Sequence, residues 1–168
     1  MDIRIRDEQL TDIERIAEIT RDAFLAAPRS SHTEHLIVAN LRQSQALALS
    51  LVAEVDGEIV GHVAFSEVEI SDGSNGWFGL GPLTVKPGMQ GKGIGSALVR
   101  AGLERLRQQG ARGCVLVGEP SFYRRFGFTN NPELMLEEAS QEYFMSLPLS
   151  GNGARGVVTY HPAFYSSC

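Results

Sequence analysis

The first forty residues show two different spacings of apolar and polar positions. Residues 2–7 (DIRIRD) alternate strictly, with isoleucines on one face and arginines on the other, which predicts a short strand. Residues 11–27 then place apolar side chains at helical spacing, and the pair Thr11 and Glu14 has the capping-box spacing that marks a helix start. We therefore expect a strand followed by an amphipathic helix that ends at Pro28.

A hairpin is predicted after a second helix over residues 33–42. Residues 46–70 are mostly aliphatic and contain the turn dipeptide Asp56-Gly57, which joins two strands. In the second strand the apolar positions change from odd to even numbers near Ser66. Because successive side chains of a strand point to opposite faces, this change of phase predicts a bulge or a change of sheet face.

The strand predicted over residues 77–87 (WFGLGPLTVKP) contains a proline, Pro82. A central strand does not accept proline without a local break in its pairing, so we expect a bulge there; an edge strand or a barrel corner is the alternative. The next segments predict a helix from about residue 94, a buried strand at 113–118 and a short helix that ends at Gly127. Less regular strands are predicted in the stretches NPELMLEE, YFMSLPL and VVTYHPAFY.

This order of elements predicts an α/β fold, in which a mixed sheet is flanked by helices. Hydrophobic residues make up 43% and charged residues 21% of the chain, as in a soluble globular protein. The 168 residues contain no repeat, no low-complexity tract and no linker, so we interpret residues 1–168 as a single domain.

Charge and cysteine content narrow the classes of function. The formal net charge of −5 argues against general nucleic-acid binding, which needs a basic surface. No apolar run approaches the roughly 18 residues of a membrane span, and no signal region is evident, so we expect no membrane association. Two cysteines do not make a disulfide framework: Cys114 is expected in the core and Cys168 on a tail, which favours a cytoplasmic location.

Three glycines stand where the helix after the proline-containing strand should begin: Gly91, Gly93 and Gly95. A glycine-rich turn between a strand and a helix lets backbone N–H groups converge at the helix N-terminus, an arrangement that binds phosphate groups. The dinucleotide fingerprint G-x-G-x-x-G fails in both possible registers, and the nucleoside-triphosphate loop fails because Gly93 follows Lys92. From the residues alone, a turn without a ligand is the alternative.

The stretch from Gln90 to Gly95 (QGKGIG) fits a third pattern completely, Gln/Arg-x-x-Gly-x-Gly/Ala. It resembles the loop with which the GNAT superfamily of N-acetyltransferases grips the pyrophosphate of acetyl-coenzyme A. The longer run GLGPLTVKPGMQGKGIGSALV looks like the family's bulged strand, loop and helix, and FYRRFGF is similar to its Tyr-x-x-x-Gly-Phe signature. The ending GVVTYHPAF looks like a branch of the family with extra C-terminal strands.

The resemblance implies a central, mostly antiparallel sheet in which one parallel strand pair splays apart. The pantetheine arm of the cofactor would fill that gap and bond the backbone of the bulged strand. Ser121 stands where many relatives have an asparagine that contacts this arm. The resemblance implies the following contacts to acetyl-coenzyme A: Leu83, Thr84, Val85, Gln90, Gly91, Lys92, Gly93, Ile94, Gly95, Ser96, Ser121, Phe122 and Tyr123.

Tyr123 has two interpretations. Its neighbours Phe122, Phe126 and Phe128 favour a place in an aromatic core on residue type alone. The resemblance instead implies that Tyr123 lies near the sulfur of coenzyme A and donates a proton to the leaving thiolate. A protein that only binds the cofactor has no need of this tyrosine.

The general base is not evident from the pattern. Glu67, Glu69 and Glu119 are candidates because they lie beside the expected gap, but surface charges would look the same. His32 and His35 stand at i, i+3 near a helix start without a third ligand, so no metal is expected.

The sequence therefore predicts an acetyl-coenzyme A-dependent N-acetyltransferase that moves an acetyl group to a primary amine by direct attack in a ternary complex. The acceptor would be a small-molecule or peptide amine, and the protein a monomer or a homodimer. The alternative is a non-catalytic acyl-coenzyme A binder that acts as a sensor or partner module.

Overall fold

The computed structural model of the chain describes residues 1–25, 27, 30–151 and 153–165. Pro28, the predicted end of the first helix, and Cys168 lie outside these ranges. The helices are α1 (Ile13–Leu25), α2 (Glu34–Gln43), α3 (Ile94–Gln108) and α4 (Pro120–Tyr123). The strands are β1 (Arg4–Asp7), β2 (Leu47–Val55), β3 (Glu58–Glu67), β4 (Glu69–Ile70), β5 (Trp77–Val85), β6 (Gly113–Val117), β7 (Leu134–Met135), β8 (Phe144–Pro148) and β9 (Gly156–Thr159).

Six strands form the main sheet in the order β1-β2-β3-β5-β6-β8. Its neighbours are antiparallel except for β5 and β6, which run parallel. A second sheet has the order β4-β9-β7 and takes most of its residues from the C-terminal part of the chain. The predicted fold class, a mixed and mostly antiparallel sheet with helices on its faces, is confirmed.

The two faces of the main sheet are covered differently. Helix α3 covers one face, where the aliphatic side chains of β2, β3 and α3 form the largest core and the Phe65 ring packs against Gly102. The opposite face is shared by the second sheet and by two helices: α1 buries Ile16 and Ile19 against Val52, and α2 adds Val38. Burial of apolar area on both faces of the sheet stabilises it.

The Asp56-Gly57 hairpin is confirmed. Both residues have positive φ, 53° and 77°, as a two-residue turn of the primed type requires. The phase change near Ser66 is a change of sheet: β3 ends at Glu67, and after Val68 the chain enters β4 of the second sheet.

Three local predictions are wrong in detail. Thr11 and Glu14 form no capping box, because a 3-10 turn over residues 10–12 precedes α1 and the Asp12 carboxylate accepts the Gln9 backbone N–H at 2.7 Å. Arg6 of β1 holds that carboxylate in place, so a contact with β1 decides where the helix starts. The stretch NPELMLEE contributes only the two-residue strand β7, and the final strand stops at Thr159 because Pro162 opens a 3-10 turn.

Candidate active site

The site begins where strands β5 and β6 separate. Their parallel pairing covers three residue pairs and ends at Gly79, opposite Val115. On its other side β5 continues to pair with β3, although the register shifts by one residue between Leu80 and Leu83. This shift is the bulge expected at Pro82, and it leaves the β6-facing edge of residues 80–85 without a strand partner in the described part of the chain.

The glycine loop after β5 has the backbone of a phosphate cradle. Gly91 and Gly93 have φ of 76° and 86°, and Gly93 is the residue from which α3 starts. Side chains other than glycine rarely adopt these angles, which explains two of the three glycines. The Gln90 amide donates a hydrogen bond to the Val85 carbonyl at 3.2 Å and so ties the loop to the end of the strand.

Gly95 serves a different purpose, because its φ is not positive. A β-carbon there would lie 3.6 Å from the Phe122 ring and 3.7 Å from Val85, within a groove of about 450 Å³. The missing side chain therefore keeps the groove open between α3 and α4. Of the expected cofactor contacts, these line the groove: Leu83, Val85, Gln90, Gly91, Gly93, Ile94, Gly95, Ser96 and Phe122.

From the sequence alone, Arg124 and Arg125 could each reach a phosphate or remain solvated. Arg125 lines the groove, and its guanidinium lies 4.9 Å from the centre of the Phe122 ring. Lys92, which we expected to contact the cofactor, is exposed and does not line the groove. Arg124 bonds Asn130 instead. Two adjacent arginines look alike in sequence, and only the 3-10 turn over residues 124–126, which follows α4, separates their directions.

A cleft of about 550 Å³ lies next to the groove, and Leu83 lines both cavities. The cleft lies over the bulge of β5 and the end of β6, and α1, α2, α4 and the C-terminal segment close its sides. Tyr123 lines it from α4. The glycine loop thus forms much of the groove, and side chains of several elements form the cleft.

Tyr123 fits both of its interpretations in part. Its ring packs edge-on against Phe122 at 4.8 Å between centroids and belongs to the main core, with 9% of the residue exposed. The same side chain faces the cleft. Burial, together with the neighbouring Cys114, raises the pKa of Tyr123 above its ordinary value, so the hydroxyl keeps its proton at neutral pH.

The remaining predicted residues are distributed around the two cavities. Thr84 is buried on the other side of β5, where its hydroxyl donates to Thr20 at 3.4 Å. Ser121 is exposed and donates to Glu119 at 3.4 Å, and neither lines the groove or the cleft. Glu67 and Glu69 line a separate side cavity, which shares Tyr160 and Tyr165 with the cleft.

Four polar residues of the cleft were not named individually from the sequence: Glu34, Glu138, Tyr160 and Tyr165. They come from three segments that are far apart in sequence, of which only the stretch GVVTYHPAF, with Tyr160, carried part of the family resemblance. The fold alone brings them together.

The described residues contain no cluster of three or more His, Cys, Asp or Glu side chains that could hold a metal ion. None of the helices in the described ranges has the length and apolar character needed to span a bilayer. Cys114 is fully buried, and burial raises the pKa of its thiol far above the ordinary value. It therefore does not act as a nucleophile.

Comparison with known proteins decides the family. Residues 13–128 match the family model described as Acetyltransferase (GNAT) family. The chain belongs to the GNAT family of acetyltransferases. A crystal structure of a GNAT family acetyltransferase from Brucella melitensis in complex with acetyl-CoA is 45% identical; the match covers 97% of this chain and 98% of that one, with a TM-score of 0.86.

Two findings concern the protein YhbS of Escherichia coli, described as an uncharacterized N-acetyltransferase. Its sequence is 35% identical over 150 residues, which cover 85% of this chain and 90% of the relative. Its crystal structure in complex with CoA has a TM-score of 0.88 at 33% identity and covers 97% of this chain and 92% of that one. The splayed strand pair and the glycine loop described above are thus those of a GNAT protein.

Proposed function

We propose that this GNAT protein is an acetyl-coenzyme A-dependent N-acetyltransferase that acetylates a primary amine. The observation that carries the proposal is a pair of cavities that share Leu83: the groove at the glycine loop and the cleft that Tyr123 lines. The complexes of the Brucella and Escherichia relatives with acetyl-CoA and CoA support the cofactor.

In the proposed complex the pyrophosphate lies on the backbone N–H groups of residues 91–95, at the N-terminus of α3, and Arg125 adds a positive charge. The pantetheine arm runs along the unpaired edge of β5. This placement brings the thioester to the bulge, beside Tyr123.

The chemistry is a direct acyl transfer. The neutral amine nitrogen forms a bond to the thioester carbonyl carbon, and the carbon–sulfur bond then breaks. Backbone N–H groups of the β5 bulge stabilise the negative charge on the carbonyl oxygen. The sulfur takes a proton from the Tyr123 hydroxyl, the nitrogen gives one to a general base, and the tyrosinate regains a proton from that base through solvent at the end of the cycle.

The base that receives the amine proton is part of this proposal. Glu67, Glu69 and Glu119, the candidates from the sequence, do not line the cleft, so a proton would reach any of them through water. A catalytic role predicts that Glu67→Gln or Glu119→Gln shifts the acidic limb of the pH profile of kcat/KM. An unchanged pH profile in both variants would mean that these residues are surface charges without a catalytic role.

A covalent acetyl-enzyme is not part of the proposed mechanism. Cys114 is buried with a thiol of raised pKa, and a protonated, inaccessible thiol does not attack a thioester. Cys114 forms no disulfide among the described residues, which agrees with action in the reducing cytoplasm. An oligomeric state of one or two chains stays a prediction.

The test combines two measurements on the same protein. Thiol release from acetyl-coenzyme A should depend on an added amine, and mass spectrometry should find the acetyl group on that amine. Intact mass of the protein after acetyl-coenzyme A alone should show no stoichiometric adduct. Tight coenzyme A binding without turnover on any amine would favour the non-catalytic binder, and an adduct at Cys114 would overturn direct transfer.

A further inference from the structure

The cleft carries negative charge that the described residues do not neutralise. Glu34 and Glu138 line it, and neither takes part in an ion pair within the described ranges. Acidic side chains near β1 are paired instead: Asp7 with Arg105, Glu8 with Arg42, and Asp12 with Arg6. Within the described ranges, the cleft therefore holds two carboxylates without a cationic partner.

One cleft carboxylate is held in position by a hydroxyl group: the Ser30 hydroxyl lies 2.7 Å from both carboxylate oxygens of Glu34. Burial, and then the neighbouring Glu138, raise the pKa of Tyr165, whose hydroxyl accepts the backbone N–H of Tyr160 at 3.1 Å. Because a hydroxyl carries no charge, the bond from Ser30 orients Glu34 without neutralising it.

Aromatic rings form much of the remaining wall. Their faces attract organic cations, and an ammonium group is favoured most where rings and carboxylates surround it together. The rings of the cleft come from α1, from α4 and from the segment that follows β9: Phe24, Tyr123, Tyr160, Phe164 and Tyr165.

Tyr160 gives an independent indication of a ligand. It is 8% exposed, its hydroxyl has no hydrogen-bond partner among the described residues, and its side chain lines both the cleft and the side cavity. Its ring lies beside Gly79, where a β-carbon would be 3.3 Å from the ring edge. Gly79 is the last residue of the parallel pairing, so Tyr160 stands next to the point where the thioester enters. A buried hydroxyl without a partner is costly unless a ligand supplies one.

The side cavity adds charge of the same sign. Glu67 and Glu69 line it, and neither is ion-paired within the described ranges. The basic side chain of His161 also lines this cavity, and its Nδ1 accepts the Ala163 backbone N–H at 3.0 Å. The two cavities together present a negative potential to an approaching molecule.

We propose that the acceptor is a small diamine or polyamine. This inference rests on the proposed function and names its substrate class. One nitrogen attacks the thioester in its neutral form and bonds the Tyr160 hydroxyl, while a second nitrogen remains an ammonium between Glu34 and Glu138. The cleft volume of about 550 Å³ is that of a small-molecule site.

Three acceptors of equal length and different far ends test the proposal: diaminobutane, butylamine and γ-aminobutanoate. Their far ends carry a positive, a neutral and a negative group, while the attacking amine is the same. We expect kcat/KM to fall in that order, by roughly tenfold or more at each step, and the preference to shrink at high salt. Equal values for the three acceptors would overturn the proposal.

Variants assign the preference to residues. The double variant Glu34→Gln/Glu138→Gln should bring the ratio of diaminobutane to butylamine near one, with little effect on butylamine. Loss of a general base would lower both amines equally, which separates the two roles. Glu142→Gln, which removes an exposed charge outside the cleft, should keep the parent ratio. Tyr160→Phe should lower kcat/KM for both amines by a similar factor.

Binding distinguishes this inference from the proposed function. Calorimetry of diaminobutane with the coenzyme A complex needs no turnover, and we expect binding that is weakened roughly tenfold or more in the double variant. Such binding without acetyl transfer would support the site for a cationic amine, while the proposal of an enzyme would fail. Acetyl transfer to amines with no preference for the second charge would leave the enzyme in place and overturn the diamine site.

Discussion

The ring of Tyr123 lies so close to Gly118 that a β-carbon on residue 118 would overlap its Cε2 atom and approach Cδ2 to 2.9 Å. Gly118 is fixed in turn, because its backbone N–H donates to the Tyr143 carbonyl at 2.9 Å. The glycine that follows β6 thus sets where the proposed proton donor stands. This contact links the packing of the chain to its chemistry.

Gly118→Ala should therefore act as an active-site variant without touching a ligand. The added methyl group pushes the Tyr123 ring away, and we expect kcat to fall roughly tenfold or more, with little change in coenzyme A affinity. Overpacking should also lower the free energy of unfolding by about 1–3 kcal/mol. Steady-state kinetics and urea unfolding measure the two effects. In a Tyr123→Ala background the same glycine change should cost almost no stability, and a full cost there would disprove the contact.

Tyr123→Phe isolates the hydroxyl. The ring keeps its packing against Phe122 and its buried area, so folding and acetyl-coenzyme A binding should stay near those of the parent. If the hydroxyl protonates the sulfur, turnover should drop by roughly tenfold or more. Rates with the best amine decide the matter, and an unchanged kcat would leave Tyr123 as a core residue only.

Gly95→Ala tests the groove. Its β-carbon meets only ordinary contacts and no unusual backbone angle, so the fold should tolerate it, whereas Gly93 has a positive φ and would strain with any side chain. The methyl group projects into the groove, and we expect coenzyme A affinity to fall by roughly tenfold or more. Gly153→Ala, in open space outside the groove, is the matched control. Equal calorimetric affinities for both variants would contradict the cofactor path.

A buried histidine links stability to acidity. His62 is fully buried, its Nε2 lies 2.7 Å from the Ser50 hydroxyl, and that hydroxyl donates to Glu8 at 2.5 Å. Burial lowers the pKa of His62 from 6.5 to about 4 and outweighs the attraction of Glu8. The unfolded chain therefore binds a proton at pH values where the folded protein does not. Stability is lost as pH falls from about 6.5 towards 4.

His62→Gln should remove that loss. Between pH 6.5 and 4.5 the decrease in the free energy of unfolding should be smaller than in the parent by roughly 2 kcal/mol. Glu8 contributes at lower pH: burial raises its pKa, but the bonds from Arg42 and Ser50 outweigh burial and lower it. Denaturant unfolding across this window provides the measurement. A pH slope for His62→Gln that runs parallel to that of the parent would argue against the assignment.

Short-range patterns predicted the framework well. The Asp56-Gly57 turn, the bulge at Pro82 and the glycine loop each depend on backbone angles or a missing N–H, which the local residues impose. The start of α1 was wrong because Arg6, from another strand, captures Asp12. Local propensity cannot predict a contact with a residue that comes close only when the chain folds.

The sequence pointed to residues 26–35 and the C-terminal strands for the acceptor side, but not to individual side chains. Glu34 opens a helix and Glu138 stands in a loop, where carboxylates ordinarily face solvent. Tyr160 follows a strand pattern that predicts simple burial. What makes them candidates is that all three line one cleft, which forms only when the turn after β9 packs beside α2.

The separation of β5 from β6 beyond Gly79 also has a consequence for how much folded protein a cell maintains. A ligand that bonds the unpaired strand edge binds the native chain and not the unfolded one, so it stabilises by mass action, by about 2.7 kcal/mol at a hundredfold excess over its dissociation constant. Acetyl-coenzyme A then stabilises the folded chain and is also the substrate. When the metabolite pool falls, the enzyme loses both its acetyl donor and part of its resistance to unfolding and proteolysis, so its abundance follows the cofactor on which it acts.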